Sequence, residues 1–133
     1  MNGQPLILVV EENLYNLELL NYHLKSLNYS CICAKQGIKA LILAQTHKPD
    51  LIILDMMISD ISAGQAIDYL KREKKTARIP IIAVIPWYLE KNSERLFLTS
   101  TEGYLTKPYD LSKLGLLVSR HFTPLNSSSL LSG

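Results

Sequence analysis

Four charged residues follow three short runs of strand-forming residues. Glu11 and Glu12 follow Leu6 to Val10, Asp55 follows Leu51 to Leu54, and Lys107 follows Tyr104 to Thr106. Three carboxylates brought together at neighbouring strand ends repel one another unless a cation sits among them. Their donors are oxygen only, which suits Mg2+ with water filling its remaining positions. A lysine arriving from another strand end adds a fixed positive charge. A carboxylate beside Mg2+ and a lysine is a phosphoryl acceptor, because the cations neutralise the incoming oxygens. Any one of these charges alone reads as a solvated strand end. Four of them at successive ends point to a site.

The pattern between these residues supplies the elements that must position them. Leu6 to Val10 reads as a strand, and Asn13 caps a helix with apolar positions Leu14, Leu17, Leu20, Leu24 and Leu27 at helical spacing. Tyr29 to Ala34 alternates as a strand, and Ile38, Leu41, Ile42 and Ala44 mark the apolar face of a second helix. Leu51 to Leu54 is a fully apolar strand ending in Asp55, followed by a loop of turn formers that includes Ser59, Asp60, Ser62 and Gly64. A helix over Gln65 to Lys75 and a strand over Ile79 to Ile85 come next, with Pro80 confining the start of that strand. A weaker helix over Tyr88 to Leu98, a short strand over Tyr104 to Thr106 and a last helix capped by Asp110 complete the series. Apolar strands alternating with helices imply a parallel sheet covered on both faces, joined by right-handed crossovers. The fold class is therefore α/β, a three-layer (βα)5 doubly wound sheet, which places its site beyond the carboxyl ends of the strands.

Composition agrees with a single domain. The chain has 133 residues, 47% hydrophobic and 20% charged, which excludes a wholly disordered or fibrous protein. Fourteen basic and twelve acidic residues are scattered without a basic block, so neither nucleic acid nor an anionic membrane is an expected partner. No apolar run approaches the ~20 residues that span a bilayer, and the first residues lack a basic leader, so a cytoplasmic protein is expected. Residues 1–122 read as the domain and residues 123–133 as a polar tail or linker. Cys31 and Cys33 lie on one strand face and read as buried structural thiols. His23, His47 and His121 read as surface or helix-end residues.

Four motifs in order, Ile7-Leu-Val-Val-Glu-Glu-Asn13, Lys48-Pro-Asp-Leu-Ile-Ile-Leu-Asp55, Arg78-Ile-Pro-Ile-Ile-Ala-Val84 and Gly103-Tyr-Leu-Thr-Lys-Pro108, span about residues 5–121. Together they make the chain resemble the receiver domain of two-component response regulators, the chemotaxis-regulator type of flavodoxin-like fold. The resemblance implies strand order 2-1-3-4-5. It implies that Asp55 is the phospho-acceptor and that Glu11 and Glu12, with the backbone carbonyl of Met57, hold Mg2+. Lys107 would contact the phosphoryl group, the bond before Pro108 would be cis, and Tyr104 would be the aromatic switch residue. The implied partners are a histidine kinase or histidine phosphotransfer protein upstream and a protein partner or covalently linked domain downstream. A signalling acceptor rather than an enzyme is expected.

Several positions depart from the family pattern. Glu12 stands where Asp is usual, which moves a carboxylate outward by about 1.5 Å, one bond length, and predicts weak Mg2+ binding. Ile85 replaces the usual Thr or Ser, Pro86 and Trp87 are bulky, Ser59 replaces a proline, and the turn glycine comes one place late at Gly64. Glu12, Ile85 and Pro86 favour a second reading, a degenerate receiver that acts as a phosphorylation-independent interaction module. Cofactor proteins on the same fold fit less well. Glu11 and Glu12 would repel a flavin phosphate, no Gly-rich turn follows the first strand, and Met57 stands where an aspartyl-phosphate hydrolase needs a second acid.

Overall fold

The computed structural model describes residues 3–96 and 100–122, so the expected tail at 123–133 and the last two residues of the expected fourth helix lie outside the described residues. Five strands alternate with helices: β1 (Leu6–Val10), α1 (Leu14–Ser26), β2 (Ser30–Ala34), α2 (Gly37–His47), β3 (Leu51–Asp55), α3 (Ala63–Arg72), β4 (Ile81–Pro86), a 3-10 helix (Trp87–Leu96), β5 (Gly103–Lys107) and α4 (Leu111–Phe122). The strands are all parallel, in the order β2-β1-β3-β4-β5. Among the described residues, no helix is long and apolar enough to cross a membrane.

Alternation along the central strands divides the core into two layers. Leu8, Val10, Ile52, Leu54, Ala83 and Ile85 face α2 and α3, whereas Ile7, Val9, Ile53, Val84 and Leu105 face α1 and α4. Every residue of β3 is buried, as a strand covered on both faces requires. Cys31 and Cys33 share the α1 and α4 side, but each is half-buried because β2 is an edge strand. Burial still pushes the Cys31 thiol up to about 11.

The helices begin where capping chemistry allows. The Asn13 side chain accepts from the Asn16 N–H at 2.9 Å and starts α1, which buries Leu17, Leu20 and Leu24; Leu14 at its start and Leu27 just past its end are exposed. Ser62 and Gln65 form a capping box, so α3 begins two residues before the expected Gln65 and takes Gly64 into its first turn. α2 is rotated from the expected face. Gly37, Ala40 and Ala44 are its buried residues, while Ile38 and Ile42 are 53% and 60% exposed. The small residues let the helix lie close: a Cβ on Gly37 would stand 2.6 Å from Ile61 and 2.7 Å from Ile58.

Over its described residues Trp87–Leu96, the fourth crossover is a 3-10 helix rather than an α-helix. Its sequence, WYLEKNSERL, offers few apolar residues for a core-facing stripe and follows directly on Pro86. β4 starts at Ile81 because Pro80 has no N–H to donate, although its carbonyl still accepts from the Ile52 N–H at 3.0 Å.

Candidate functional site

The sheet register delivers the charged residues to one edge. Val10 pairs with Leu54, Asp55 with Val84, and Pro86 with Lys107, so Glu11, Asp55 and Lys107 leave the sheet at the same end. The ladder runs slightly past the strand ends: the Glu11 N–H donates to the Ala34 carbonyl and the Met56 N–H to the Val84 carbonyl, each at 2.9 Å. These bonds hold the backbone on either side of the carboxylates.

Three side chains meet there. The Lys107 ammonium lies 2.8 Å from Glu11 Oε1 and 2.9 Å from Asp55 Oδ2. Glu11 and Asp55 are 1% and 3% exposed, so one ammonium is shared by two carboxylates that the fold has taken out of water, and one negative charge is left in excess. Asp55 Oδ1 also accepts from the Met57 N–H at 2.9 Å, which sets the Met57 backbone beside the carboxylate. Burial raises the Asp55 carboxyl above its usual range, with the Lys107 and Met57 bonds opposing the rise. Burial also works against the charge on Lys107, but its bonds to Glu11 and Asp55 prevail and hold the ammonium above the usual lysine value.

Glu11 has two further donors that sequence reasoning did not place in the site. Its Oε2 accepts from the Asn13 N–H and its Oε1 from the Tyr109 hydroxyl, both at 2.9 Å. Burial and the nearby Glu11 charge push the Tyr109 hydroxyl well above its ordinary value, so it stays a donor. The position of Tyr109 directly after Lys107-Pro108 is the only sequence signal for it. The bond between Lys107 and Pro108 is cis.

Glu12 is not brought to this cluster. It is exposed, and its carboxylate accepts from the Ser59 hydroxyl, with the Ser59 N–H at 3.3 Å from the same oxygen. Glu11 and Asp55 offer hard oxygens that already converge on one cationic atom, and this pair fits Mg2+. Among the described residues, however, no group of three His, Cys, Asp or Glu side chains is gathered closely enough to hold a metal.

The two residues expected to act as a switch, Ile85 and Tyr104, belong to the layer under α2 and α3. Ile85 is fully buried in the α2 and α3 layer, and Tyr104 packs against that layer. The Tyr104 hydroxyl donates to Glu90 Oε2 at 2.8 Å, and the Lys113 ammonium lies 5.6 Å from the ring centroid. The arrangement can accept a phosphoryl group on a buried carboxylate with a lysine already at hand. It has no hydroxyl at residue 85 to follow that group.

The family model described as response regulator receiver domain matches residues 7–119. The chain is 30% identical over 107 residues to the polar-differentiation response regulator DivK of Brucella anthropi, covering 80% of this chain and 87% of that protein. It is 28% identical to the receiver domain of the sensor histidine kinase PA1611 of Pseudomonas aeruginosa, whose crystal structure has a magnesium ion coordinated in the active-site cleft. That match has a TM-score of 0.80 and covers 90% of this chain and 97% of that one. The Vibrio cholerae chemotaxis protein CheY4 shares the fold at 18% identity, with a TM-score of 0.81 over 90% of this chain and 100% of that one.

Proposed function

Since this chain belongs to the response regulator receiver family, we propose that Asp55 accepts a phosphoryl group from a histidine kinase or histidine phosphotransfer protein in a two-component phosphorelay. The observation that carries this reading is a buried carboxylate at the end of β3, bonded to Lys107 on one oxygen and to a backbone N–H on the other. In the transfer, an Asp55 oxygen forms a bond to phosphorus as the phosphorus–nitrogen bond of the donor phosphohistidine breaks and the imidazole keeps the electron pair. Lys107 neutralises the arriving oxygens, and Glu11 keeps that ammonium in place. Bound Mg2+ would supply further charge neutralisation, held by Glu11, Asp55 and the Met57 backbone carbonyl, and by Glu12 once it leaves Ser59. The chain acts as a carrier of the phosphoryl group rather than as an enzyme, and it passes its state to a protein partner or a linked domain.

Exposure to acetyl phosphate with Mg2+, followed by intact mass, tests this. One added phosphoryl group is expected, and Asp55→Asn abolishes it. A second reading has its own observation: Lys107 already pairs with both buried carboxylates, and residue 85 has no hydroxyl to respond. A protein that never labels, yet keeps its fold, is the phosphorylation-independent interaction module.

A further inference from the structure

We propose that Ser59 is a positioning residue for the metal. It holds the Glu12 carboxylate away from Glu11 and Asp55, so that a cation recruits Glu12 only after the Ser59 contact is broken. The inference rests on the receiver reading above and concerns the affinity of the same site.

Glu11 and Glu12 are neighbours in sequence with opposite fates. Glu11 is buried and accepts from Asn13, Tyr109 and Lys107. Glu12 is exposed, and its Oε2 faces both the hydroxyl and the N–H of Ser59, 47 residues away. The extra methylene of a glutamate lets the carboxylate reach across to the loop after β3. Serine supplies both a donor hydroxyl and a backbone N–H, whereas a proline at this place would offer neither.

The loop that carries Ser59 is itself anchored. The next residue, Asp60, accepts from the Gly37 N–H at 2.8 Å and the Ile38 N–H at 3.0 Å, capping α2. Ser59 therefore sits on backbone tied to a helix N-terminus and cannot simply follow Glu12 toward the cluster. A cation that needs Glu12 binds only the fraction of molecules in which the contact is open, and its apparent affinity falls by that fraction. The same linkage runs outward, because drawing Glu12 from Ser59 changes the surroundings of the Ser59-Asp60 cap.

The test is a calorimetric Mg2+ titration of the intact chain, Ser59→Ala and Ser59→Thr, with amide NMR spectra of the same samples. Ser59 is exposed, so the substitutions leave the core untouched. Ser59→Ala should bind Mg2+ about tenfold more tightly, and Ser59→Thr, which keeps the hydroxyl, should match the original. In the original protein Mg2+ should shift the amide signals of residues 59, 37 and 38. In a Glu12→Gln background, Ser59→Ala should change nothing. Equal affinities in the serine and alanine proteins, or weaker binding in alanine, would overturn the role of Ser59 and leave Asp55 labelling unaffected. No binding in any variant, together with an Asp55 that never labels, would overturn both this inference and the acceptor reading.

Discussion

At the residue scale, the unit that matters is Lys107 between Glu11 and Asp55. Two carboxylates almost wholly removed from water share one ammonium, so removal of that ammonium leaves both charges uncompensated. Breaking a buried pair in this way costs about 3–5 kcal/mol. Lys107→Ala should destabilise the protein by an amount in that range in urea unfolding, and adding Asp55→Asn should recover part of the loss by removing one of the stranded charges. Losses that simply add would show that the two groups do not interact. Ile85 raises a separate expectation at the same scale. A ligand shifts an equilibrium only by its differential affinity for the two states, and a hydrogen bond to a charged group is worth about 1.5–3 kcal/mol. Ile85 cannot form that bond with a phosphoryl group, and Tyr104 is held from outside by Glu90 and Lys113. Beryllofluoride should leave the Tyr104 ring signals in place, whereas Ile85→Thr should make them respond. A large, saturable response in the unaltered protein would mean that another residue drives Tyr104.

At the element scale, α2 depends on a cap from another part of the chain. Gln36 precedes the helix without a side-chain cap bond, and Asp60 from the loop after β3 takes the first N–H groups instead. The Ile38 and Gly37 amides hold the Asp60 carboxyl below its ordinary value of 3.8. The folded protein thus binds this proton less tightly than the unfolded chain. Its contribution to stability is fully present above the ordinary carboxylate value and is lost as the pH falls through the lowered folded value. Thermal melts taken from about pH 5 downward should therefore show a smaller acid loss in Asp60→Asn than in the original protein. The same substitution should speed hydrogen exchange at the Gly37 and Ile38 amides. Identical acid limbs would remove Asp60 from the account of α2.

At the scale of the whole molecule, stability resides in the two layers on either side of the sheet. Ile53 is fully buried in the α1 and α4 layer, and truncation to alanine should cost about 2–5 kcal/mol by denaturant unfolding, a large share of the roughly 5–15 kcal/mol that holds such a domain together. Ile42, 60% exposed on α2, should change stability by less than about 0.5 kcal/mol when replaced by alanine. Equal costs would mean that the outward face of α2 is covered. The contrast also marks how far a linear pattern reaches. Runs such as Leu51 to Leu54 show their burial directly, because a strand covered on both faces must be apolar at every position, and charges that end such runs must stand at the sheet edge. Most elements and the sheet edge that gathers Glu11, Asp55 and Lys107 are legible in that local pattern, whereas the order of strands is what the resemblance carried by the motifs implies. Helix faces are less legible, because Ala40 and Ala44 are chosen for close approach and Ile38 for its own reasons on the surface, and periodicity cannot separate the two. The partners of long side chains were decided only in three dimensions. Glu12 reaches Ser59, Tyr109 reaches Glu11 and Asp60 reaches α2 across separations of 47, 98 and 22–23 residues. Residue type says that such groups need donors or acceptors, but which donor comes within hydrogen-bonding reach depends on how the layers pack.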